Sequence, residues 1–148
     1  MKLSKKCRYA LRALIDLSVC SADDHVVLST IAERNGISPQ YLEQAFASLR
    51  RAGIVKGIKG SQGGYKLNKD PRKITIAAVL EALDGTYRIE GEEIPEDSHG
   101  RSIAASIQEL VIDQVNLQLD QVLQHTTLAD LKKGYLDHLE NGKDMYYI

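Results

Sequence analysis

SPQYLEQAFASLRRAGIVKGIKGSQGGYKL, residues 38–67, reads as a helix and a hairpin laid end to end. Ser38 offers a capping hydroxyl and Pro39 follows where no amide bond is lost, the favoured order at a helix start. Tyr41, Leu42, Ala45, Phe46 and Leu49 recur at three-and-four spacing and supply a buried side, as far as a glycine stop at Gly53. Ile54-Val55-Lys56 and Tyr65-Lys66-Leu67 then read as two short strands. The segment 56–67 holds four glycines and three lysines. A flexible linker explains the glycines but not the apolar residues at either end. A hairpin whose tip approaches a sugar-phosphate rail explains both: glycine permits the close approach, and Lys56, Lys59 and Lys66 bring countercharge. A nucleotide-binding P-loop is excluded, because no GK[ST] follows the glycines and no helix opens at their end.

Towards the N-terminus, Ser4 caps a predicted helix from about Lys5 to Val19, with Tyr9, Ala10, Ala13, Leu14 and Leu17 on one face. Residues 21–25 read as a loop and 26–28 as a short extended piece. Ser29 is the expected cap of a brief helix through about Asn35, ended by a left-handed Gly36. Two short helices separated by Gly36-Ile37-Ser38 form a helix-turn-helix pattern, whose second member would enter the major groove. A hairpin directly after such a recognition helix is a wing.

Towards the C-terminus, IAAVLEALDG (76–85) is another amphipathic helix, beginning at Ile74-Thr75. Residues 86–100 are polar, acidic and aperiodic, a loop. A helix of about 23 residues, Ser102 to Gln124, would span roughly 35 Å. Ile103, Ile107, Leu110, Val111, Val115, Leu119 and Val122 run along it with Leu123 as one broad apolar stripe. That is longer than a small winged domain needs, so the stripe is assigned to packing against a second copy; folding back over its own domain is the other use. Thr127-Leu128-Ala129-Asp130 has the form of a capping box, with Asp in place of Glu, opening a last helix to about Leu139. The expected organisation is therefore 1–85 winged helix-turn-helix, 86–100 acidic loop, 101–140 dimerisation helices and 141–148 tail: mostly α with a small β-hairpin.

The overall net charge of −1 conceals an asymmetry. Residues 1–75 carry 14 Lys and Arg against 6 Asp and Glu, and residues 76–148 carry 5 against 14. A half at +8 joined to a half at −9 suits a polyanion at the first and none at the second. No apolar run approaches the ~20 residues of a membrane span. The basic-then-apolar start is interrupted by Arg12 and Asp16 and lacks a small-residue cleavage site, so a cytoplasmic protein is expected. Cys7 and Cys20 lie on one predicted helix, and His25, His125 and His138 stand singly, without metal spacing. No nucleophile–base pair is evident, so an enzyme is not expected, nor a cofactor.

MKLSKKCRYALRAL (1–14), ISPQYLEQAFASLRRAGIVKGIKGSQGGYKL (37–67) and ITIAAVLEALDG (74–85) together resemble the Rrf-two family of bacterial winged-helix transcription regulators. The likeness is close over about residues 1–85 and looser through the long helix and TTLADL (126–131). It implies a homodimer on a palindromic DNA operator, recognition helix in the major groove and wing towards the adjacent minor groove. Carried over by position, it assigns base edges to Ser38, Gln40, Tyr41, Glu43 and Gln44, although packing competes with contact for Tyr41. Gln pairs with adenine and Glu accepts from cytosine. Backbone contacts fall to Arg50, Arg51 and Lys56, wing contacts to Lys59, Gly60, Ser61, Gln62, Gly63 and Tyr65, and N-terminal phosphate contacts to Ser4, Lys6 and Arg8. Lys59 stands where the family usually has arginine, keeping the charge but losing the planar fork.

Cluster-binding relatives place three cysteines after the helix that ends near Gly85; TYRIEGEEIPEDSHG (86–100) has none, and thiolates are what hold iron–sulfur clusters. The resemblance is thus to cluster-free members, and among these to those that repress cysteine metabolism. Besides the DNA-binding half, TTLADL and the terminal Met145-Tyr146-Tyr147-Ile148 support it, whereas KKGYLDHLENGKD (132–144) departs from it. An apolar C-terminus with a free carboxylate is a portable ligand. The resemblance names its partner as O-acetylserine thiol-lyase, the cysteine synthase, whose active site would take Tyr147 and Ile148; the other outcome is a tail packed on the dimer or left unordered. Cys7 stands where relatives commonly have glycine, and Lys5, Lys6 and Arg8 nearby would favour a thiolate, against an inert, half-buried cysteine. The expected function is a repressor of sulfur and cysteine metabolism genes. The alternatives are an interaction module acting on cysteine synthase through its tail, and a redox-responsive repressor using Cys7.

Overall fold

The structure is a computed structural model that describes residues 2–20, 25–58, 64–96 and 99–146, the last four without their side chains. Helix α1 (Lys5–Val19) buries Ala10, Ala13, Leu14 and Leu17, and Ser4 caps it by accepting from the Cys7 amide at 3.1 Å. Helix α2 (Leu28–Asn35) lies across it, clamped where the Arg34 guanidinium meets Asp16 at 2.6 Å and the Asn35 amide donates to Asp16 at 2.9 Å. The α2 start differs from expectation. Ser29 lies inside the helix, and no side chain caps it; Thr30 and Ile31 donate to the Val27 carbonyl instead. Leu28 is buried, and seating it draws the helix start two residues further back, from 30 to 28.

Gly36 takes the left-handed conformation at φ 64° and turns the chain into α3 (Pro39–Arg51). Leu42, Ala45, Phe46 and Leu49 form its buried side, but Tyr41 does not join them: 37% exposed, it stands at the rim. After Gly53 the antiparallel strands β1 (Val55–Gly57) and β2 (Tyr65–Leu67) pair in the register Val55–Leu67, Lys56–Lys66, Gly57–Tyr65. Val26 adds a single bridge to the free side of Tyr65, with both backbone hydrogen bonds at 2.9 Å. Gly64 is needed at this junction: its φ is 141°, and a Cβ there would lie 2.8 Å from the His25 ring.

A 3-10 turn, Pro71–Lys73, capped by Asp70, leads into α4 (Ile76–Asp84), which Thr75 caps and Gly85 ends. The acidic loop is only in part a free loop. The buried Tyr87 donates to Asp120 at 2.6 Å, Arg88 pairs with Asp120 at 2.9 Å, and Ile89 exchanges two hydrogen bonds with the Asn116 side chain. These clip residues 87–89 onto the long helix. That helix runs as α5 (Arg101–Ile107), a π-helical stretch Gln108–Ile112, and α6 (Asp113–Leu123). The π stretch is an interruption that periodicity did not foretell.

The Thr127–Asp130 capping box forms reciprocally, with the Thr127 amide donating to Asp130 at 2.9 Å and the Asp130 amide to the Thr127 hydroxyl at 3.2 Å. It starts α7 (Leu128–Tyr146), which packs back along α1. The helix passes through Leu139, Asn141 and Gly142 rather than yielding a tail from residue 141. One glycine costs a helix about 1 kcal/mol, too little to stop it unaided. Tyr147 and Ile148 lie outside the described residues. Among the described residues no helix is long and apolar enough to cross a membrane.

The start of the C-terminal helix is hydrogen-bonded to the winged domain as well as packed on it. The Leu128 amide donates to Ile74 at 2.8 Å, Ile76 donates to Thr126 at 2.9 Å, and the Leu128 side chain is fully buried in the common core. Leu128→Ala is expected to cost about 2–5 kcal/mol, read as a lowered urea midpoint with unchanged slope.

Candidate nucleic-acid interface

The apolar face of α3 is consumed by the core, which leaves its opposite face to solvent. Ser38, Gln40, Tyr41, Glu43 and Gln44 are all exposed there, as are Arg50, Arg51 and Lys56. Ser38 occupies the cap position without a hydrogen bond from its hydroxyl to the helix, so the hydroxyl is left for another partner. The side chains of Gln40, Glu43 and Gln44 make no hydrogen bond among the described residues. Tyr41 stands edge-on to Tyr9 of α1, ring centroids 5.7 Å apart, and the Arg12 guanidinium covers Tyr9 at 5.3 Å. This three-layer brace was not anticipated; the one-turn spacing of Tyr9 and Arg12 is the signal that announces it.

The wing side is partly described. Arg51 donates to Ser48 at 3.1 Å, and Arg50 reaches to about 4.0 Å from where a side chain on Gly57 would begin, beside β1. Lys59, Gly60, Ser61, Gln62 and Gly63 lie outside the described residues. Tyr65 is half-buried with its ring edge-on to Phe46 at 5.2 Å, so its first task is to seat the wing on the recognition helix. At the N-terminus Arg8 is exposed and donates to the Leu3 carbonyl at 3.2 Å, and Lys6 is half-buried. Ser4 is already engaged: it caps α1 and donates its proton to Asp84 at 2.9 Å.

Cys7 decides between its two readings. It is fully buried, and its Sγ donates to Asp84 at 3.0 Å. Burial, with the Asp84 carboxylate beside it, pushes the thiol up from 9.0 to about 11, and the neighbouring Lys6 does not offset this. The thiol is therefore neutral at physiological pH, the inert reading rather than the redox one. On the long helix Ile103, Ile107, Leu110, Val111, Val115 and Val122 are exposed, Leu110 to 74%. Leu119 is the exception: it packs, with Leu123, against the core of its own chain.

A recognition helix with a bare polar face, seated under a wing, defines a winged helix-turn-helix protein. The Rrf2 family profile, described as iron-dependent transcriptional regulator, matches residues 3–134, and the chain belongs to this family. It is 46% identical over 84 residues to the HTH-type transcriptional regulator IscR of Vibrio campbellii, covering 57% of this chain and 50% of that one. To IscR of Yersinia enterocolitica it is 44% identical over 96 residues, 63% of this chain and 58% of that one. The match spans about half the length of these relatives. Among solved structures, CymR, the global cysteine regulator of B. subtilis, superposes with TM-score 0.72 at 36% identity over 90% of this chain and 97% of that one. IscR of T. potens superposes with TM-score 0.67 at 36% identity over 91% and 88%. The chain is thus similar to both a cysteine regulator and IscR proteins.

The family description implies iron, and the donor set here does not fit an iron–sulfur cluster. Cys7 and Cys20 are the two cysteines of the chain, at opposite ends of α1 and about 20 Å apart along its axis. Residues 86–100 contain none, and Tyr87, Arg88 and Ile89 of that segment are bonded to the long helix. Among the described residues no group of three or more His, Cys, Asp or Glu is placed to hold a metal.

At pH 8 roughly one Cys7 in a thousand is a thiolate, so iodoacetamide should modify the native chain at Cys20 first and at Cys7 only on unfolding, as mapped by peptide mass. The proton is held more tightly by the folded chain than by the unfolded one. The stability it contributes is present below pH 9 and is lost as pH rises towards about 11.

Proposed function

We propose that this protein is a sequence-specific DNA-binding transcriptional regulator, a homodimeric repressor acting on a palindromic operator, with genes of sulfur and cysteine metabolism as its targets. The bare polar face of α3 carries the reading. Five side chains at the start of that helix are exposed with their backbone rigidly seated by Leu42, Phe46 and Leu49 beneath. A helix N-terminus favours phosphate, while Gln40, Glu43 and Gln44 offer the donors and acceptors that base edges require. Arg8, Arg50, Arg51 and Lys56 supply charge for the rails on either side, and the half-buried Lys6 adds to the positive charge of the same helix start as Arg8. Ser4, whose hydroxyl is engaged by Asp84, contributes by holding the start of α1.

Dimerisation is supported by the exposed apolar stripe from Ile103 to Val122, too large to be left to water. Leu119 is not part of that surface in this reading. The metabolic assignment rests on the likeness to CymR of B. subtilis across nearly the whole chain. Cysteine synthase enters as a partner through Tyr147 and Ile148, and selection of operator sequences with and without the purified enzyme tests whether it is required.

Two substitutions separate reading from gripping. Gln44→Ala should relax base choice at one operator position, removing about 1–3 kcal/mol of discrimination. Lys56→Ala should weaken every duplex alike and reduce the salt slope by about 1. Selection from random duplexes, followed by anisotropy titrations at several salt concentrations, distinguishes them; a uniform loss from Gln44→Ala contradicts its role. Val111→Glu should yield a monomer in sedimentation velocity with operator affinity reduced at least tenfold, and a persisting dimer refutes the assigned face.

A further inference from the structure

A cleft of about 460 Å³ opens where the C-terminal end of α1 meets β2, the turn after it and α7. Leu17, Leu67 and Pro71 give it an apolar lining, and Lys66, Lys69 and Lys132 bring three cations to it from three different elements. Its size falls within the roughly 300–1,000 Å³ of small-molecule sites.

Charge in the cleft is unbalanced. Among the described residues none of the three lysines has an ion-pair partner. Asp70 lies in the lining but is already taken: Arg72 reaches it at 2.7 Å and donates a backbone amide at 2.9 Å, holding its carboxyl down at about 2. The end of α1 contributes a partial negative charge equivalent to about half an electron, well short of three cations. Lys66 also stands directly opposite Lys56 across the hairpin. Like charges in that arrangement destabilise a strand pair. The apolar lining beside uncompensated ammonium groups is the composition of a site for an anion with a short carbon skeleton, rather than of a surface meant for water alone.

We propose that this cleft binds a small organic anion bearing two or more carboxylate or phosphate groups. The occupant would touch β2, which carries the wing, and α7, which belongs to the other half of the chain. Binding would therefore bias the position of the wing, and this coupling, unlike the site itself, rests on the DNA-binding reading.

Calorimetric titration of the full chain with citrate, succinate and fructose 1,6-bisphosphate, at ionic strength held constant with chloride, tests the site. Saturable binding of at least one of them, one per chain, is expected, and which one separates carboxylate from phosphate recognition. Lys69→Gln combined with Lys132→Gln should weaken it at least tenfold while circular dichroism and thermal unfolding without anion stay unchanged. No saturable heat from any of the three, or equal binding by the double variant, overturns the proposal. So does a double variant that loses affinity for every duplex while no anion binds, which would assign the lysines to DNA phosphates. Operator affinity should shift several-fold at saturating anion in the wild-type chain and not in the double variant. An unshifted affinity removes the coupling and leaves the site, and a chain that binds citrate yet ignores every duplex removes the DNA reading alone.

Discussion

The arrangement of wing and recognition helix depends on Tyr65. Its ring stands T-shaped against Phe46, its backbone pairs with Gly57 on one side, and Val26 bridges it on the other. One residue therefore joins α3, the hairpin and the segment leading into α2. A two-stranded hairpin is marginal by itself in water, so this wing keeps its direction because a buried ring and a third strand segment hold its base. The tight approach at Gly64 and His25 belongs to the same junction. The angle between α3 and the wing is therefore set by this contact.

A second junction makes the two halves one body. Asp84 at the end of α4 accepts from both Ser4 and Cys7, and three residues later Tyr87 bonds to Asp120 on the long helix. Leu128 and the Thr127–Asp130 box close the circuit from the other side. The basic start of α1 is thus two short steps from the helix whose apolar side is left bare. Residues 87–89 are held to the long helix by hydrogen bonds of Tyr87, Arg88 and Ile89 with Asp120 and Asn116.

Much of this was legible beforehand because it is local. Ser4, Thr75 and the Thr127–Asp130 pair cap helices within three residues of themselves, Gly36 and Gly53 stop helices with a backbone only glycine adopts readily, and the apolar spacing of α3 picks out Leu42, Phe46 and Leu49. The bare face carrying Gln40, Glu43 and Gln44 follows from the same spacing. Where expectation slipped, a distant partner decided. Leu28 was pulled into the core and displaced Ser29 from the cap, and Leu119 turned inward; Tyr41 and Cys7, each open to two readings, were decided by Tyr9 and by Asp84, 77 residues from Cys7.

The sequence by itself determined the order and type of the main elements, the helix stops, the charged half and the polar face of the recognition helix, because each is set by neighbours along the chain or by composition. Only the tertiary structure decided the protonation of Cys7, the bonding of residues 87–89, the continuation of α7 through Gly142 and the meeting of Lys66, Lys69 and Lys132 at one cleft. Burial and charge depend on which remote groups share a volume, and residues 66 and 132 acquire a common surroundings only when the chain has closed.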